Sequence, residues 1–475
     1  MTSTRFCVFA AAVFVLAAPT LSAHDAASIP AHGVVGVEQA QLTPDFWIAQ
    51  LDDPDRVVLD DAAIEAQNRR LLELDSSMYD LRALPRTLTR KQVATWIGSL
   101  ADPPASVYYD ADGRPVTDET LDRIVENRNL AAVPNRQAAR YGLVVHRASL
   151  RTFPTSLRVF RSAGDTDIDR FQESALFPGT PVVITHESLD GHWWFVVSPR
   201  YAAWIEKRYV AEGTAKQVLA YHAKTPFRIV TGATVETVFT PEQTALSELQ
   251  LDMGVRVPVL NEPAADRPVN GQHPYTSYVI ELPLRGQEGD LRLAPVLLQK
   301  NADTAPDYLA LTRANIIRQG FKFLGERYGW GHSYNARDCS GFVSEVYRSM
   351  GVLLPRNTSD QSVSPALHTR IFSDTEDDGA RMNAVRTLEV GDLVYIPGHV
   401  MMMIGRIDGE PWVIHDTSGI GYLTEEGSMT RVRLNSVSVT PLMPLRLDET
   451  ERYVDRMTSI VRIRPDSAKE ASRSP

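Results

Sequence analysis

The stretch Arg337-Asp338-Cys339-Ser340-Gly341-Phe342-Val343 decides how the rest of the chain is read. After the cysteine, Phe342, Val343, Val346, Tyr347 and Met350 fall on one helical face, and Gly351 follows as a stop. An amphipathic helix therefore begins at the thiol. Unpaired N–H groups and the positive end of the helix dipole favour a thiolate there. Asp338 opposes this with its own negative charge, so a nearby imidazole has to set the balance.

Two of the eleven histidines stand in contexts unlike the others. His399 lies in Pro397-Gly398-His399-Val400-Met401-Met402, and His415 closes Trp412-Val413-Ile414-His415. Both read as strand ends. A turn near Asp408-Gly409 would make the two strands antiparallel neighbours and bring the rings side by side, one accepting the thiol proton and the other fixing its tautomer. Asp416 is the reserve for the second role. A single histidine at a strand end is more often structural, but two beside a lone helix-capping cysteine weaken that explanation.

Outward from this core, the N-terminus carries Arg5, an apolar run over 6–18 and then Ser22-Ala23, the pattern of a secretory signal peptide over 1–23. Cleavage would remove Cys7 and leave Cys339 as the one cysteine of the mature chain, so no internal disulfide is expected. No other run approaches the length of about 20 apolar residues that a membrane helix needs. A net charge of −10 argues against nucleic acid as a partner. The expected location is the periplasm or cell envelope, and the expected state a monomer.

The 475 residues call for several domains rather than one core. An Ala/Gly-rich tether over 24–41 precedes a mostly helical stabilising region over 42–137, with helices expected at 61–74, 89–100 and 118–128. Short β-branched and aromatic runs then suggest two small barrels, over 138–212 and 213–268. Candidate strands are 141–145, 181–185, 193–197, 227–230 and 254–259. Trp193 and Trp204 read as barrel core rather than as a ligand platform. An α+β domain over 269–465 follows, with helices at 305–324 and 340–350 and strands at 392–396, 400–407 and 411–414. Residues 466–475 read as a frayed tail.

In order, Tyr328-Gly329-Trp330-Gly331, Asp338-Cys339-Ser340-Gly341, Gly391-Asp392-Leu393, His399-Val400 and His415 resemble the NlpC/p60 family of papain-like cell-wall cysteine peptidases. The wider layout is similar to the branch of that family in which a helical segment and two bacterial SH3-like barrels precede the peptidase domain. Two departures are visible: His332 stands where the family has a second glycine, and the segment from Tyr328 to Cys339 is one residue short. The resemblance implies that Cys339 attacks the scissile carbonyl, that His399 is base and then acid, and that His415 orients His399. It also implies that Tyr328 meets the developing oxyanion and that Trp330, Asp338 and Ser340 line the substrate groove. The implied reaction is hydrolysis of the γ-D-glutamyl–diamino acid bond of peptidoglycan stem peptides, with no cofactor and no metal. Asp338 and Ser340 flank the nucleophile on the acyl side, where an anion suits the free amino terminus of L-Ala, although Asp338 would also cap the helix.

Three other readings compete. One takes the barrels as the working part of a wall-binding protein with an inactive peptidase domain, against which the full Cys, His, His set argues. An amidase or acyltransferase on the same papain-like fold would share nucleophile and base. A metal-dependent hydrolase built on His332, Asp338, His399 and His415 lacks any His-Glu-x-x-His spacing.

Overall fold

The computed structural model describes residues 34–464 apart from 101, 103, 105, 262–266, 374, 375, 377 and 425. The expected signal peptide, most of the tether and the tail lie outside the described residues. No described helix is long and apolar enough to cross a membrane.

The N-terminal region is helical, with α1 (Pro44–Ile48), α2 (Asp61–Leu74), α3 (Arg90–Leu100) and α4 (Asp118–Glu126). Asp60 starts α2 by accepting the Ala63 N–H, and Thr117 starts α4 by accepting that of Thr120. Trp47 of α1 is buried against Trp412 of the C-terminal domain, with ring centroids 5.5 Å apart. Position 405 must be glycine for this packing, because a Cβ there would lie 2.7 Å from the Trp47 ring.

The first β unit is a seven-stranded antiparallel sheet: β1 (Arg140–Val144), β2 (Ala148–Arg151), β3 (Gln172–Leu176), β4 (Pro181–Glu187), β5 (Trp193–Val197), β6 (Ala202–Glu206) and β7 (Val210–Gly213). Its strand order is β7-β1-β4-β5-β6-β2-β3. All of β5 is buried, and the reason is that both faces are covered. Trp194 and Val196 point into the barrel core, whereas Trp193, Phe195 and Val197 pack with Trp204 against Val93 and Ile97 of α3. Continuous burial explains why this strand shows no apolar–polar alternation.

After α5 (Ala215–Tyr221) comes a second β unit, which runs past the expected boundary at 268. It contains β8 (Phe227–Val230), β9 (Thr234–Glu236), β10 (Gln250–Asp252), β11 (Arg256–Pro258), β12 (Ser277–Arg285), β13 (Leu291–Gln299) and β14 (Thr304–Ala305). One core joins Val230, Leu251 and Val257 to Ile280, Leu282, Val296 and Leu298, so the long hairpin β12–β13 belongs here and not to the peptidase domain. Residues 304–305 pair with β8. The helix expected over 305–324 is correspondingly shorter, α6 (Arg313–Phe321), capped by Thr312 accepting the Asn315 N–H.

The C-terminal domain contains α7 (Cys339–Arg348), α8 (Thr358–Val363), β15 (His368–Ile371), α9 (Asp378–Arg386), β16 (Leu393–Ile396), β17 (His399–Ile407), β18 (Glu410–Thr417), β19 (Ser436–Pro441) and β20 (Ser459–Arg462). Its sheet order is β15-β20-β16-β17-β18-β19. Phe342, Val343, Val346 and Tyr347 of α7, with Met350 just after it, pack with Val400, Met402, Ile404 and Ile414 on one side of the sheet. Met401, Met403 and Val413 point to the other side, against Ala384, Val385, Leu442 and Val454.

Candidate active site

Asp338 is the N-cap of α7. Its Oδ1 accepts the Gly341 N–H at 2.8 Å, which leaves Cys339 as the first helical residue, 5% exposed. Gly341 is held small by its surroundings, since a Cβ would fall 2.7 Å from Cε1 of His332. The thiol Sγ lies 3.7 Å from the Thr358 hydroxyl, and the Val400 N–H also points at it. Burial and the Asp338 carboxylate push the thiol up to about 12. In the resting protein these outweigh the helix dipole that the sequence emphasised, so Cys339 is a protonated thiol and needs a base.

The two histidines meet. Nε2 of His399 and Nδ1 of His415 are 2.8 Å apart, and Nε2 of His415 lies 3.1 Å from Oγ1 of Thr440 on β19. His399 opens β17, adjacent to the Val400 amide that contacts the thiol. His415, expected at a strand end, is instead inside β18 and fully buried. It stops short of the end because β19 pairs with β18 through Thr417. Burial lowers His399 to about 4 and, together with the neighbouring His399, holds His415 well below the ordinary imidazole range. Both rings are neutral near pH 7, as a base and its orienting partner must be.

The thiol opens onto a cleft of about 680 Å³, lined by Tyr328, Trp330, Asp338, Cys339 and Ser340, by Arg356 and α8 residues, by Pro397 and Gly398 just before His399, and by Arg170, Gln172 and Glu173 of the first β unit. Burial, a Cys339 thiolate where one forms, and the Asp338 carboxylate all raise the Tyr328 phenol far above its usual value, so it is a neutral donor in the cleft wall. The Trp330 Nε1–H donates to the Gln172 carbonyl at 3.1 Å, tying the peptidase domain to β3. Asp416, by contrast, is fully buried, with neither carboxylate oxygen hydrogen-bonded. Burial and the Asp338 charge raise it well above the usual range, and it takes no part in the His399–His415 contact.

Sequence reasoning missed Arg356, which spends all five N–H donors here. It donates to Asp338 Oδ1 and Oδ2 at 3.1 and 2.8 Å, Ser340 Oγ at 2.8 Å, Ser174 Oγ at 2.7 Å and His332 Nδ1 at 2.9 Å. Despite burial, this guanidinium and His332 hold Asp338 down at about 2. His332 keeps a glycine-like φ of +65°. Its Nε2 contacts Glu345 Oε1 at 3.1 Å, so the imidazole is a neutral strut between α7 and Arg356, lowered to about 3 by burial and by Arg356. His332 is thus engaged with Glu345 and Arg356, and among the described residues the four donors of the metal reading do not form one group. Also missed was Glu173, which accepts from the Thr152 and Tyr201 hydroxyls. No local signal marks these residues, because their partners are distant in the chain.

Comparison with known proteins now bears on the site. A family model described as NlpC/P60 matches residues 325–438. The chain carries an NlpC/P60 domain. A model for an SH3 domain of the SH3b1 type matches residues 158–206, within the first β unit. The chain is 29% identical over 163 residues to a γ-D-glutamyl-L-lysine dipeptidyl-peptidase of Bacillus cereus, a match spanning 34% of this chain and 43% of that relative. An NlpC/P60 endopeptidase from Photobacterium damselae subsp. piscicida shares the fold at a TM-score of 0.70 with 17% identity, over 87% of this chain and 96% of the other. NlpC/P60 is a family of cysteine peptidases, and the bacterial SH3 match falls on the first of the two β units alone.

Proposed function

We propose that this protein is an exported cysteine endopeptidase that hydrolyses the γ-D-glutamyl–diamino acid bond of peptidoglycan stem peptides. The observation that carries the reading is a protonated thiol at the N-terminus of α7, opening onto a cleft, with a hydrogen-bonded pair of neutral histidines, one half-buried and one buried, at the start of β17 and within β18. The name of the Bacillus cereus relative supports the bond type. In the first half-reaction His399 takes the Cys339 proton as Sγ bonds to the γ-carbonyl carbon, and the Tyr328 phenol donates to the oxyanion. The proton then passes to the leaving amine as the C–N bond breaks, leaving a thioester. Water, deprotonated by His399, attacks the thioester; the carboxylic acid departs and the proton returns to the thiolate.

The cleft also favours a short acyl side. Glu173 of the first β unit also lines it, and supplies the anion for a free L-Ala ammonium. Asp338 is engaged mainly with Arg356 and the α7 cap, so its part in recognition is to hold the groove's shape beside Glu173. If the first β unit blocks the acyl end of the groove, stems attached to glycan are excluded. The test compares free tri- or tetrapeptide with the same stem N-acylated, products identified by mass. Equal rates on both would overturn the closed-groove reading, and cleavage at any other bond would overturn the assigned bond.

A further inference from the structure

The contact between His415 and Thr440 closes a chain of three groups, and only one direction of its protons is compatible with a base at His399. Nε2 of His399 is committed to His415 at 2.8 Å, which leaves Nδ1 as the nitrogen free to receive a proton from the thiol. For Nδ1 to be unprotonated at rest, the His399 proton must sit on Nε2 and be donated to Nδ1 of His415. That nitrogen must then be bare, so His415 carries its proton on Nε2, 3.1 Å from the Thr440 hydroxyl oxygen. If the hydroxyl instead donated to His415, every proton would reverse. His415 would donate from Nδ1, and His399 would present an N–H to the thiol and be unable to act.

We infer that Thr440 is a positioning residue whose hydroxyl accepts the Nε2–H of His415 and thereby fixes the productive tautomer of both rings. Sheet register delivers it. Val413 lies opposite Thr440 and His415 opposite Ser438 across β18 and β19, so Thr440 is the diagonal neighbour of His415 on the same face. Both residues are 0% exposed, so bulk water does not replace the hydroxyl. Threonine suits the place: a serine keeps the oxygen, whereas a valine keeps the shape and removes the acceptor.

The inference rests on the thiol–histidine mechanism but not on which bond is cut, and the experiment separates the two. In the wild-type protein without substrate, ¹⁵N–¹H spectra of the imidazoles are expected to show His415 protonated at Nε2 and His399 at Nε2. Thr440→Val should lose that His415 signature, lower kcat by about 10- to 100-fold, as removal of a group that orients a histidine commonly does, and leave KM within about twofold. It should also slow alkylation of Cys339 by iodoacetamide, a readout that needs no peptide substrate. Thr440→Ser should restore all three. A wild-type His415 protonated at Nδ1, or a Thr440→Val protein with wild-type kcat and alkylation rate, would overturn it. Should the valine variant fail to fold, the wild-type tautomer and the serine variant still decide.

Discussion

Replacing Arg356 by methionine keeps most of the side-chain volume and removes all of its hydrogen bonds, to Asp338, Ser340, Ser174 and His332, so a double-mutant cycle with Asp338→Asn is needed to isolate the ion pair. Arg356 is 4% exposed and Asp338 7%, and the guanidinium reaches both carboxylate oxygens at about the distance of a charge-assisted pair. An exposed pair would be worth under about 1 kcal/mol. Removing one member of a buried pair leaves the other charge uncompensated, at a cost of about 3–5 kcal/mol. Asp338→Asn alone retains an oxygen for the Gly341 N–H but strands the arginine, and a comparable loss is expected. The double variant strands neither, so it should be more stable than the sum of the single losses predicts by about 2 kcal/mol, within the range for residues in one network. Denaturant unfolding of the four proteins is the assay, with hydrogen exchange of the α7 amides as a local readout, because a chain with several units need not unfold in one step. An Arg356→Met loss below about 1 kcal/mol, or strictly additive losses, would refute the claim that this pair holds the nucleophile's helix cap.

Cys339→Ala should retain the fold and lower hydrolysis to less than about one thousandth of wild type; chelators should leave the rate unchanged, and a loss of activity in chelator alone would favour the metal reading. His399→Ala should be nearly as damaging as loss of the thiol, and His415→Ala less so, whereas Asp416→Asn should stay within about threefold of wild-type activity. Because the Asp416 carboxyl is raised in the folded chain, ionisation in the unfolded chain costs stability as pH rises past its ordinary value, so the asparagine variant should be more stable at neutral pH; a silent His415→Ala with a crippled Asp416→Asn would reassign the orienting role. For pH, His399 must be neutral to act and is lowered to about 4. The acid limb of kcat/KM should therefore lie below the ordinary histidine value, with activity rising as pH passes upward through the limb, and a limb at 6.5 or above would contradict this environment.

What could be read from the chain was what repeats at short range. The α7 face is legible because its apolar residues recur on one side, and the adjacency of His399 and His415 follows from two strands and the tight turn between them, Asp408 and Gly409 having positive φ. The second β unit was cut short because its closing hairpin, 277–299, follows a long connection and shares a core with strands that precede it. Residues 304–305 took strand pairing with β8 over helix propensity, an outcome that no window of sequence contains. Arg356 was invisible for the same reason: Ser174 is 182 residues away from it, and nothing around Pro355-Arg356-Asn357 marks its function. His332 stands where the family has a glycine, and its left-handed backbone preserves the bend a glycine would make while its ring gains Glu345 and Arg356 as partners.

The wiring around Arg356 has a consequence for how such a protein can change over generations. Ser174 of the SH3 unit holds the arginine, Arg147 from the loop between β1 and β2 donates to the carbonyls of His332 and Ala336, and Arg337 beside the nucleophile pairs with Asp252 of the second β unit at 2.7 Å. Both β units thus contribute polar contacts to the floor beneath the thiol. Such units cannot be shuffled like beads on a string, because a barrel imported from elsewhere would arrive without Ser174, Arg147 or Asp252 and leave buried charges stranded. Sequence drift in the barrels is yoked to drift in the peptidase, and grafting this peptidase onto a new targeting module would require the barrels to travel with it.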